Sequence, residues 1–214
     1  MKTNYFSSLT LLILQLILLM MQPLILSVGN SLWVVGILTG LLFFDVWIED
    51  WRKNNILIKI LLLIVNIFCT CMYLNCDTKM KKGTYICSVL LLFFYSLIIK
   101  FIKVLRAKRV DSTIIFSSIN FYMLAGYTGA CLAWLVETVW PGSFVINHPI
   151  TSHQLFDFVY FSFVTMASLG YGDIIPSNEV GKTIALFISL FGQIYTTVFL
   201  VITLSKYIKQ KEVL

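Results

Sequence analysis

Apolar residues come in long runs along this chain, each closed by a short polar or basic break. Six runs approach the roughly 20 residues a helix needs to cross a bilayer. They are Ser8–Val28, Leu32–Trp51, Ile56–Leu74, Tyr85–Val104, Phe116–Thr138 and Thr183–Tyr207. A seventh run, Gln154–Ala167, is too short to cross. It predicts a re-entrant helix, which is tolerated at membrane depth only where protein or water surrounds it. The expected fold class is therefore an all-α membrane protein, with six transmembrane helices and a re-entrant helix between the fifth and sixth.

Composition agrees: 59% of the 214 residues are hydrophobic and 12% are charged, too little polar surface for a soluble domain of this size. Lys2 precedes an apolar stretch, as in a signal peptide, but the run is long and lacks a small-residue cleavage pattern, so it reads as a retained helix. Placing the N-terminus inside puts Lys2, Arg52, Lys53, Lys59, Lys100, Lys103, Arg106, Lys108, Arg109, Lys206, Lys209 and Lys211 on the cytoplasmic side. Only Lys79, Lys81, Lys82 and Lys182 fall outside. That bias predicts a multi-pass protein of the cell inner or plasma membrane with both termini cytoplasmic. It also accounts for the net charge of +6 without any nucleic-acid partner. Cys76 and Cys87 flank the outer loop between spans three and four, where a disulfide or two separate thiols are both compatible with the sequence.

The chemistry concentrates after the short helix. Thr151 or Ser152 offers an N-cap hydroxyl just after Pro149, and the helix runs through Phe156, Phe158, Val159, Tyr160, Phe161, Phe163, Val164 and Met166. Its C-terminal end carries partial negative charge. Beyond it stands Ser168-Leu169-Gly170-Tyr171-Gly172-Asp173. Glycine adopts φ values that a residue with a Cβ resists, so a Gly-Tyr-Gly segment suits a backbone whose carbonyls serve as ligands.

From Tyr160 through Asp173 to Pro176 the chain resembles the pore region of tetrameric potassium channels, and with the flanking spans the resemblance covers 114–207. It implies a filter in which rings of carbonyls replace the hydration shell of potassium, the permeant ion. By position, the ligands would be the carbonyls of Ser168, Leu169, Gly170 and Tyr171, with the Ser168 hydroxyl. Thr165, Tyr160, Gly172 and Asp173 would support the filter, Tyr160 donating to Asp173 at the outer mouth. Phe161 stands where the family often has a hydrogen-bonding tryptophan. Ser for Thr and Leu for Val are further departures. In the last span Gly192 corresponds to a gating hinge, with close helix contact as the alternative. Gln193, Thr196 and Thr197 would face a water-filled cavity, and Leu200 and Leu204 would form a hydrophobic gate. One filter loop per chain implies a homotetramer in the lipid bilayer.

The resemblance divides the chain into a four-helix N-terminal membrane domain, 1–110, and a pore domain, 111–214. Lys100, Lys103, Arg106 and Arg109 recur at the spacing of a voltage sensor, with Asp45 and Glu49 as acidic counterparts. They lie at or beyond the cytoplasmic end of span four, however, and a charge senses voltage only if it crosses the field. Weak or no voltage dependence is the expectation. Few residues follow Tyr207, which argues against a cytoplasmic ligand-binding domain, while His148 and His153 are outer-side residues that could report pH. No nucleophile–base constellation, phosphate loop or zinc spacing suggests an enzyme. The expected function is a passive potassium-selective channel, the alternatives being a weakly selective cation channel and a non-conducting membrane subunit.

Overall fold

The computed structural model describes residues 8–17, 19–21, 40, 60–61, 64–68, 71, 79–106, 112–147, 154–199, 201, 205 and 208. Spans two and three lie almost wholly outside these residues, as do Cys76, His148, Thr151, Ser152, His153, Arg109, Leu200 and Leu204. The helices are α1 (Ser8–Met21), α2 (Lys79–Arg106), α3 (Ser112–Val139), α4 (Gln154–Met166) and α5 (Glu179–Ile194). A π-helical stretch, Tyr195–Phe199, continues α5. By length and composition α2 and α3 can each cross a membrane, whereas α4 is a shorter apolar helix.

Helix α3 is the centre of the packing. In its most apolar stretch 78% of residues are buried inside the chain, against 50% for α2. Tyr85, Ile86, Val89, Leu90 and Phe93 of α2 share one core with Leu124, Tyr127, Ala130 and Trp134 of α3. That core crosses the 110/111 division expected from the sequence. Helix α1 is tied to α3 as well: Asn120 Nδ2 donates to the Ser8 carbonyl at 2.8 Å, and the Tyr127 hydroxyl donates to the Gln15 carbonyl at 3.2 Å.

Two glycines let α4 press against α3. A Cβ on Gly126 would stand 2.5 Å from the Phe163 ring, and one on Gly129 would stand 2.5 Å from Ser162 Oγ. At that distance the Ser162 hydroxyl reaches across and donates to the Gly126 carbonyl at 2.7 Å, fully buried. Small residues at membrane helix contacts allow this approach. Ser162→Ala should lower thermal stability by about 1 kcal/mol, the net value of one such bond, as measured by melting the purified protein in detergent.

The helices are not the whole fold. Phe144–Ile146 (β1) pairs antiparallel with Ile174–Pro176 (β2) in the register Phe144↔Pro176, Val145↔Ile175 and Ile146↔Ile174. This ribbon is a small addition to an otherwise helical fold among the described residues. Its cause is a carboxylate anchor: Glu137 Oε1 accepts from the Gly142 amide at 2.8 Å, and Oε2 accepts from the Phe144 amide at 3.0 Å. Gly142 turns the chain at φ +83, a value that costs glycine nothing. Phe144 then packs edge-on against Phe158 and Phe161, at 5.4 and 5.1 Å between ring centroids.

The ribbon leads directly into α5. Asn178 caps that helix, its Oδ1 accepting from the Gly181 amide at 2.8 Å while its Nδ2 donates to Ser143 Oγ at 2.8 Å. Helix α5 thus starts at Glu179, ahead of the expected Thr183. Hydropathy misses the extra turn because its residues, Glu179 and Lys182 among them, are polar. Helix α2 extends past its expected start for the same reason, through Lys79, Lys81, Lys82 and Thr84.

Candidate functional site

Helix α4 ends on two crossing hydrogen bonds. The Leu169 amide donates to the Val164 carbonyl at 2.9 Å, and the Ser168 amide donates to the Thr165 carbonyl at 3.0 Å. These are the paired bonds of a Schellman cap, whose C′ residue takes the left-handed conformation and is usually glycine. Here that residue is Ser168, with φ +59, the one non-glycine with positive φ among the described residues. Serine tolerates this conformation better than a β-branched residue would. The cap therefore supplies a structural reason for serine at 168.

Left-handed residues then alternate with ordinary ones. Gly170 has φ +58 and Gly172 has φ +79, while Leu169 and Tyr171 lie outside the positive-φ region. The segment 168–172 is thus an alternating ribbon whose residues are exposed in the single chain. Leu169 is 57% exposed and Tyr171 is 67% exposed.

The outer end of the segment is held by named contacts. The Asn147 amide donates to the Asp173 carbonyl at 2.8 Å, tying the segment to the chain beyond β1. Asp173 Oδ1 accepts from the Ile174 amide at 3.1 Å. The Tyr160 hydroxyl bonds to the Asp173 side chain, which pushes the phenol up to about 12; desolvation and the Asp173 charge add to the effect. Tyr160 accordingly remains a neutral donor at physiological pH. Its ring also stacks on Tyr171, at 6.4 Å and 15° between planes. Tyr160, Tyr171 and Asp173 are therefore brought together in one cluster. Within one chain Thr165 reaches Tyr171 through no hydrogen bond among the described residues. Phe161 is buried against Phe144 and acts as packing.

At the inner end, α5 abuts the α4 terminus. Gly192 is buried, and a Cβ there would stand 2.2 Å from the Met166 carbonyl oxygen. The close-contact alternative is thus present, and it explains the glycine without requiring a bend at that residue. The helix changes character just beyond: the Tyr195 hydroxyl donates to the Ser118 carbonyl, anchoring the start of the π segment on α3. Gln193, next to Gly192, donates through Nε2 to Ser168 Oγ. Sequence reading placed Gln193 among cavity residues but missed this partner, which lies 25 positions away.

Elsewhere, Cys87 is an exposed free thiol. Lys100 is 1% exposed, whereas Lys103 is half-buried and Arg106 exposed in the last turn of α2.

A short apolar helix, a left/right alternating Gly-Tyr-Gly ribbon at its C-terminus and flanking helices on both sides define a membrane domain built around a loop. Residues 112–209 match the family model described as ion channel. Over 75 residues the chain is 36% identical to a hyperpolarization-activated voltage-gated potassium channel of Methanocaldococcus jannaschii, covering 34% of this chain and 32% of the relative. The match thus spans about a third of that relative's length. No solved structure matches the chain.

Proposed function

We propose that four copies of this chain assemble around 168–172 to form a pore that conducts potassium passively across a membrane. The observation that carries the reading is the alternation of φ at Ser168, Gly170 and Gly172 with ordinary backbone at Leu169 and Tyr171. Such alternation turns successive peptide planes to the same side, which suits carbonyls acting as ligands for a dehydrated cation. In this reading Ser168, Leu169, Gly170 and Tyr171 supply the ligands, and Gly172, Asp173, Tyr160 and Thr165 hold the ribbon. The C-terminus of α4 adds its partial negative charge on the ion side. A similar potassium channel among the relatives agrees with the choice of ion.

The homotetramer is supported by what one chain leaves uncovered. Leu186, Leu190, Ile194 and Val198 of α5 and its continuation recur every fourth residue and are all exposed. Leu169 and Tyr171 are exposed as well. Neighbouring copies would cover both the stripe and the ribbon, and one ribbon cannot close a ring. The six-span arrangement, the division into 1–110 and 111–214 and a gate at Leu200 and Leu204 belong to the same reading.

A weakly selective cation channel is favoured by one observation, the use of Ser168 to cap α4, since a helix cap at the first filter position shortens the regular ribbon. Liposomes loaded with potassium and bathed in sodium test the choice. Barium-sensitive potassium efflux with a reversal potential near that of potassium supports the first reading, equal sodium permeation supports the second, and no flux at any voltage removes both. The same recordings should show weak or no voltage dependence, because Lys103 and Arg106 already occupy the last turn of α2. A steep conductance–voltage relation would refute that expectation.

A further inference from the structure

The hydrogen bond between Gln193 and Ser168 joins two residues that each need explaining. Ser168 is a non-glycine held at φ +59, a conformation that costs an ordinary residue about 1–2 kcal/mol and persists only where its surroundings hold it. Gln193 is a long polar side chain, exposed in the single chain, on a helix whose neighbouring exposed positions are mostly apolar. Its backbone carbonyl is engaged within the helix, accepting from Thr197 Oγ1 at 2.6 Å. Its carboxamide is turned to the end of α4 and donates to the Ser168 hydroxyl. The Gly192–Met166 contact fixes the spacing, because it seats α5 directly against the residue two before Ser168.

We propose that Gln193 is a positioning residue for the inner end of the filter, acting through the Ser168 hydroxyl to set how tightly the innermost cation site binds. The inference rests on the channel reading above and adds to it a residue outside the filter. A serine hydroxyl has two acceptor lone pairs and one proton. The Gln193 N–H occupies one lone pair and places a partial positive charge beside the oxygen. Both effects weaken that oxygen as a cation ligand while holding the side chain in one orientation. Loose binding at the inner site favours conduction, since an ion that binds too tightly does not leave.

Barium block from the cavity side, recorded in planar bilayers, reads this site. Gln193→Met keeps the length of the side chain and removes the amide. It should tighten barium block about three- to tenfold, the change that one neutral hydrogen bond brings. The same substitution in a Ser168→Ala background should change block less than about twofold, because the coupled partner is gone. An equal effect in both backgrounds, or none in either, overturns the proposal and leaves Gln193 as a cavity-lining residue only. Thermal stability separates positioning from packing: Gln193→Met should melt within a degree or so of the unchanged protein. Should Gln193→Met fail to assemble, Gln193→Asn is read in the same way, its amide being one methylene too short to reach. Potassium flux through the unchanged protein in the same bilayers tests the channel reading itself. Its absence removes that reading, whereas flux without coupling removes only the role of Gln193.

Discussion

Gly170→Ala is expected to reduce potassium flux by at least about a hundredfold without unfolding the protein. Gly170 has φ +58, and a Cβ built there meets nothing within 4 Å. Within the chain the substitution therefore acts on backbone conformation and not through a clash. Alanine in the left-handed region costs about 1–2 kcal/mol. Four copies around one axis would raise this to roughly 4–8 kcal/mol against the conformer that presents the carbonyls, and each 1.36 kcal/mol is a factor of ten. Gly142→Ala is the matching control. Its φ of +83 imposes comparable strain with equally open surroundings, but it sits in the turn before β1. Liposome flux should survive Gly142→Ala and vanish with Gly170→Ala. Flux retained in Gly170→Ala would mean that the ribbon is not the conducting path.

Gly192→Ala should have the largest effect on stability. The added Cβ would stand 2.2 Å from the Met166 carbonyl oxygen and 2.5 Å from Met166 Cγ. A carbonyl oxygen at a helix terminus cannot rotate away, so α5 must move off α4. Overpacking of this kind costs about 1–3 kcal/mol per chain, which for a protein of this size corresponds to a melting temperature lower by several degrees. Gly83→Ala provides the contrast. Gly83 lies within α2 and its Cβ would meet nothing within 4 Å, so alanine there should be neutral or stabilising by up to about 1 kcal/mol. A hinge role for Gly192 would appear differently, as altered open probability with the melting temperature unchanged. An unchanged melting temperature would therefore restore the hinge and discard the contact as its reason for being glycine.

Among the described residues, the helices were legible because burial in lipid or in a neighbour imposes one rule on every position of a span. Tyr85–Val104 and Phe116–Thr138 lie inside α2 and α3 on that rule alone. The ends were not legible. Asn178 caps α5 through its own side chain and through Ser143, and the second partner lies 35 positions away. The β1–β2 ribbon escaped for a related reason. Three-residue strands carry almost no periodic signal, and the Glu137 carboxylate that organises them reads in sequence as an ordinary charge at a helix end.

The sequence by itself determined the apolar character of a membrane protein, where the long helices run among the described residues, and that glycines stand at 170 and 172. Composition and glycine spacing are local properties, and lipid or backbone sterics act on them directly. Tertiary structure alone decided three other matters. Gly192 lies in tight contact with Met166, Ser168 is the left-handed cap of α4, and Gln193 holds the Ser168 hydroxyl. Each depends on the distance between the end of one helix and the face of another, and that distance is set by how α4 packs between α3 and α5.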